Sequence, residues 1–151
     1  MKKTILSLCL LAIVSCGSKE DPIGLWEPMK LTSKEVVIKN RNGKKEQPYS
    51  VTISGSQTHF TLEVTNYSLW WVSSIQTKES PDSEEKYTYN ITSGIGEQKT
   101  FAHDWYTFTV KGNKVDCLIN ENKTDRQRTI CLDMTAGDIF ATINIVQSPG
   151  K

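Results

Sequence analysis

The sequence predicts an all-β fold, a sandwich or a barrel, and three observations carry the prediction. Short runs rich in Val, Ile, Thr, Tyr and Trp recur from Trp26 onward. Clusters of Gly, Asn, Pro and Ser separate them, and no stretch carries a helical spacing of apolar residues. Such runs fit a pleated, half-buried surface, and frequent turn chemistry between them implies many short strands.

The elements follow in order. "EVVIKN" (35–40) reads as a strand, followed by a charged turn containing Asn42-Gly43, a strong turn pair. "YSVTISG" (49–55) and "HFTLEVTN" (59–66) alternate well, with Val51 and Ile53 in one and Phe60, Leu62 and Val64 in the other. "LWWVSSIQ" (69–76) comes next, then a charged segment, 77–86, that reads as an exposed loop. "YTYNITS" (87–93) reads as a strand and "GIGEQKT" as a connection. "DWYTFTV" (104–110) and "KVDCLIN" (114–120) flank Gly112-Asn113 as a hairpin, and "RTICLDM" (128–134) and "FATINIVQ" (140–147) flank Ala136-Gly137-Asp138 as another. No linker interrupts 26–147, so 26–151 is expected to be a single domain.

Residues 1–15 stand apart from that domain. Lys2 and Lys3 precede an apolar run from Ile5 to Val14, which is too short for a stable membrane span and reads as a secretory signal. The run ends in Ile13-Val14-Ser15-Cys16, which resembles the lipobox of bacterial lipoproteins. The resemblance implies a lipoprotein signal peptide over 1–15, lipidation of the Cys16 thiol, and a polar tether over 16–25. More than one acyl chain on Cys16 would hold the protein stably in a membrane. Gly17 after the cysteine resembles outer-membrane sorting in Gram-negative bacteria, and Lys19-Glu20-Asp21 resembles a surface-export signal of Bacteroidetes lipoproteins. A plain solvated linker is the competing reading of that cluster. Loss of residues 1–15 removes two lysines and no acid, leaving sixteen basic against seventeen acidic residues, near −1. That balance leaves no electrostatic footprint for nucleic acid.

The stretch from Ile119 to Gln147 resembles the closing strands of BACON-type domains, a Bacteroidetes-associated family of immunoglobulin-like β-sandwiches. Asn122, Thr124, Arg128, Ile130, Leu132, Ile143, Ile145 and Gln147 sit at the family's positions. "WWVSSI" and "DWYTFTV" look like its Trp-containing element, while 77–99 looks like a loop or hairpin insertion. The resemblance implies an immunoglobulin-like antiparallel β-sandwich, in a family labelled carbohydrate-binding.

Residues able to do chemistry are few. The two histidines, His59 and His103, lie in no catalytic motif, and the carboxylates Glu79, Asp82, Glu84 and Glu85 fall in one loop instead of facing each other across a cleft. His and Cys are too scattered for a zinc site, and "NENKTD" lacks the spacing of a calcium loop. No catalytic residue, metal or cofactor is therefore expected. Cys117 alternates with Val115 and Ile119 and Cys131 with Thr129 and Asp133, so their phases oppose a direct disulfide, although a bulge would restore one.

Aromatic residues remain as candidate binding groups, since a flat exposed ring is a platform for the C–H face of a sugar. In "LWWVSSI" the phase of Leu69, Trp71 and Ile75 is the more apolar, which predicts Trp71 in the core and Trp70 facing outward. Alternation in "DWYTFTV" also turns Trp105 outward, whereas the family pattern buries it, and both remain open. Trp70 and Trp105 are thus the candidate ligand-binding residues. The expected function is a non-catalytic, lipid-anchored module at the outer membrane, touching glycan. The alternative is a structural or partner-binding subunit of an envelope complex.

Overall fold

In a computed structural model, residues 27–40, 48–90 and 98–150 are described, with the side chains of 87–90 left aside. The signal peptide, Cys16, the tether, the Asn42-Gly43 turn and part of the expected insertion lie outside the described residues. Those described form eleven strands and no helix: β1 (Leu31–Thr32), β2 (Lys39–Asn40), β3 (Tyr49–Ile53), β4 (Thr58–Val64), β5 (Trp71–Lys78), β6 (Lys86–Asn90), β7 (Lys99–His103), β8 (Tyr106–Lys111), β9 (Lys114–Ile119), β10 (Arg128–Ala136) and β11 (Ile139–Gln147).

The strands build a β-sandwich. One sheet has five strands in the order β1-β4-β9-β8-β7, and the other six in the order β2-β3-β11-β10-β5-β6. The expected antiparallel pairing holds at every ladder but one: β3 and β11 run parallel, with Val51 opposite Ile145. A parallel neighbour requires a long crossover, here the whole chain between β3 and β11. The hairpins on either side of Gly112 and Gly137 form as the turn residues predict, with φ of 58° and 65° that only glycine adopts without strain.

The inner faces meet in one apolar layer. Phe60, Leu62, Tyr106, Phe108, Val115 and Ile119 come from the five-stranded sheet, and Val51, Ile75, Ile130, Leu132, Ile143 and Ile145 from the other, none more than 1 % exposed. Each is one phase of an alternating strand, so the period-2 pattern of the sequence is read directly into the core. At roughly 2 kcal/mol per fully buried large apolar side chain, this layer is the main force holding the sheets together.

Short strands escaped the sequence pattern. β1 has two residues, and long-range bonds hold the segment before it: the Tyr49 hydroxyl donates to the Met29 carbonyl at 2.7 Å and the Asn66 amide to the Pro28 carbonyl at 2.9 Å. Only the end of "EVVIKN" forms a strand, as β2; Val36 and Ile38 pack against the core without joining a ladder, and Val37 is exposed. β7 occupies the end of the expected connection, and β5 runs to Lys78 inside the expected loop. These are edges and ends, where pairing outweighs local preference.

Candidate functional site

Two places gather functional side chains. The first is one end of the sandwich, where the Arg128 guanidinium lies 4.0 Å over the Trp105 ring. Its Nε donates to Gln147 Oε1 at 2.8 Å, and its Nη2 to the carbonyls of Asn120 and Glu121 at 2.9 and 3.2 Å. Burial lowers the Arg128 pKa below the usual guanidinium range, against the opposing pull of Glu79. The Gln147 amide donates in turn to the carbonyls of Gly55, Ser56 and Asn120. Buried Asn122 donates to the Arg126 and Ser148 carbonyls and accepts from the Thr124 amide and hydroxyl. Residues that the sequence singled out as a family pattern thus form one hydrogen-bonded plug, whose role here is to satisfy chain ends and loop carbonyls. An open cleft of about 540 Å³ lies against it, lined by Gln57, Asp104, Asn120, Glu121, Lys123 and Thr124 together with Trp105 and Arg128.

Both expected platforms are buried there or in the core. Trp105 is 6 % exposed, because it sits in the two-residue turn between β7 and β8 instead of in a strand, so alternation does not set its direction. Its indole N–H donates to Glu79 at 3.3 Å, its ring meets Tyr106 edge-on, and Arg128 covers one face. Trp70 is 4 % exposed and belongs to the core, while Trp71 is half-buried on the opposite face. The expected phase is therefore reversed. The cause is a β-bulge: against β10, Ser74 pairs with Asp133 but Val72 pairs with Met134, so Ser73 is the extra residue. Trp70 and Val72 point inward before the bulge, and Ile75 and Thr77 after it. Reading one continuous phase from Leu69 to Ile75 crossed that break.

The second place is the outer face of the six-stranded sheet. Trp71 and Phe140 are both Cα partners of Thr135, so one row across β5, β10 and β11 carries two aromatic rings on the solvent side. Phe140 is 76 % exposed. In the next row, Asp133 accepts the Ser74 hydroxyl at 2.5 Å, the Thr142 hydroxyl at 2.6 Å and the Gln76 amide at 3.2 Å. Phe140, Thr142 and Asn144 were legible as the outward phase of β11. Trp71 was hidden by the bulge, and no local residue announces one.

His59 pairs with Asp116 at 2.7 Å on the exposed face of the other sheet, and His103 stacks on Tyr106 at 5.2 Å. Neither imidazole hydrogen-bonds a serine, threonine or cysteine side chain among the described residues. No group of three His, Cys, Asp or Glu is placed to hold a metal among them. Cys117 and Cys131 are free thiols on strands of different sheets. Burial, aided by Asp116, raises the Cys117 pKa well above its usual value. Burial and then Asp133 push Cys131 up to about 12.

No protein-family model matches the chain, and no curated protein does. Among solved structures it is similar to the NMR structure of a protein from Bacteroides thetaiotaomicron, with a TM-score of 0.62 and 25 % identity over 87 % of this chain and 95 % of that one.

Proposed function

We propose that this chain is a non-catalytic, lipid-anchored module that binds glycan at a bacterial outer membrane. The observation that carries the reading is the half-buried Trp71 beside the exposed Phe140 on the outer sheet face, a pair of rings that the core does not use. Ile13-Val14-Ser15-Cys16 supports the anchor, and the polar tether leaves the domain free to approach a polymer. The pattern from Asn122 to Gln147 supports a BACON-type domain, and the likeness to a Bacteroides structure is compatible with it.

Two experiments test this. Full-length protein in detergent is run through native gels containing polysaccharides, where retardation that falls in Trp71→Ala is expected. Absence of retardation in every polysaccharide, with recovery of an envelope protein in pull-down, would favour the partner-binding subunit instead. For the anchor, globomycin blocks processing and Cys16→Ser abolishes membrane retention. A serine variant that stays in the membrane fraction contradicts lipidation.

A further inference from the structure

We propose that the outer face of the six-stranded sheet, between Trp71 and Phe140, is a site for neutral, hydroxyl-rich polysaccharide that excludes uronate- and sulfate-bearing chains. The inference rests on the glycan-binding reading above and names where the polymer lies and what chemistry it has.

The rings come first. Trp71 and Phe140 flank Thr135 across three neighbouring strands, which sets their backbones roughly 10 Å apart at the usual strand spacing. Thr135 is only 4 % exposed on this outward phase, as its position between two aromatic neighbours requires. Its hydroxyl donates to the Gly137 carbonyl at 2.7 Å, so the floor between the rings offers no competing donor. Two rings separated by an apolar, recessed floor can stack on sugar rings of one chain.

The polar rim then decides which chain. Asp133 lies in the next row, flanked by Ser74 on β5 and Thr142 on β11. An ionised carboxylate only accepts hydrogen bonds, and a hydroxyl has a single hydrogen to donate. Ser74 and Thr142 both give that hydrogen to Asp133, at 2.5 and 2.6 Å, and therefore present lone pairs to everything else. Gln76 gives its amide N–H groups to Asp133 at 3.2 Å and to Ser74 Oγ at 3.5 Å, which leaves its carbonyl oxygen as an acceptor. The Asp133 carboxylate thereby sets an array of three acceptors beside two aromatic rings.

Sugar hydroxyls are donors and match that array. A carboxylate or sulfate brings no hydrogen, needs donors in return, and meets the Asp133 charge at close range. No arginine shares the face among the described residues, and its lysines, Lys39 and Lys78, register with Ser50 and Thr129, away from the aromatic row. Charge complementarity thus points to an uncharged ligand. Asp133 acts as a positioning residue, through Ser74, Thr142 and Gln76.

The test uses full-length protein in detergent and affinity electrophoresis, with a mixed-linkage β-glucan, an arabinoxylan and a galactomannan as neutral probes. Polygalacturonate and dextran sulfate serve as acidic probes. At least one neutral probe is expected to retard the protein, and neither acidic one. Phe140→Ala removes a ring that is 76 % exposed, so it leaves folding intact; it weakens neutral binding at least fivefold, as does Trp71→Ala. Asp133→Asn, which replaces one acceptor by a donor and frees the two hydroxyls to turn, narrows the neutral-over-acidic preference at least fivefold. A purely structural Asp133 would lower affinity without moving that preference. Neutral binding that survives Phe140→Ala within fivefold overturns the site while leaving glycan binding standing. Acidic probes bound as well as neutral ones overturn the selectivity. No retardation by any probe overturns both this inference and the glycan reading beneath it.

Discussion

Arg128 and Asp133 are both tied by hydrogen bonds but on different sides of the fold: Arg128 is buried at the end plug, and Asp133 lies half-buried on the outer sheet face. Arg128 is wholly committed to the fold: it is 8 % exposed, stacked on Trp105, and bonded to Gln147 and two loop carbonyls. Lysine cannot reproduce a planar fork that both stacks and donates in two directions. Arg128→Lys is therefore expected to cost about 3 kcal/mol and to lower the melting temperature by roughly 10 °C or more, read by calorimetry. An unchanged transition would mean that the plug contributes nothing. The cysteines give a second residue-scale prediction. Native protein at pH 8 should resist a thiol reagent at both Cys117 and Cys131, and each should label once unfolded without reductant, since both are free and hold their protons tightly. For Cys131 the sign of the pH dependence follows from its raised pKa. Its contribution to stability is full below the unfolded value of 9.0 and falls as pH rises toward about 12, because the unfolded chain then loses a proton that the folded one keeps.

At the scale of elements, β5 is where the sequence misleads. The strands without irregularity were legible: β4, β9, β10 and β11 fall within two residues of the runs that predicted them, and their inward phases are the observed core. In β5 the bulge at Ser73 exchanges the faces of everything before it, so a correct strand carried the wrong tryptophan outward. Trp105 failed for a related reason, since a turn residue has no phase to read. Deleting Ser73 removes the extra residue and leaves Trp70, Val72, Ile75 and Thr77 in strict alternation on the inner face, whereas one further residue inserted after Ser73, with the bulge kept, exchanges the faces before it and drives Trp70 and Val72 out of the core. The insertion is expected to destabilise the fold by about 3 kcal/mol or more, whereas the deletion stays within about 1 kcal/mol and Ser73→Ala within about 0.5 kcal/mol. A deletion that costs as much as the insertion would contradict the bulge at Ser73. Gly137→Ala, at φ 65° with open space around the added carbon, tests the β10–β11 turn and should cost about 1 kcal/mol of backbone strain.

For the whole molecule, the division of labour is between two surfaces of one sandwich. The end plug of Asn122, Arg128 and Gln147 closes the fold and accounts for residues whose pattern was visible in the sequence. The outer sheet face was not visible, because it is assembled from β5, β10 and β11, which are far apart in the chain and in register only after folding. This face is open and has no enclosing walls, so on the proposed reading it meets a polymer rather than a small molecule. The most direct measurement is a titration of ¹⁵N-labelled full-length protein with soluble neutral polysaccharide, following the indole N–H signals, with Trp71→Phe for assignment. The Trp71 signal is expected to shift with added glycan while those of buried Trp70 and Trp105 stay in place. A shift confined to Trp105, or no shift at all, would contradict a glycan site on the outer sheet face.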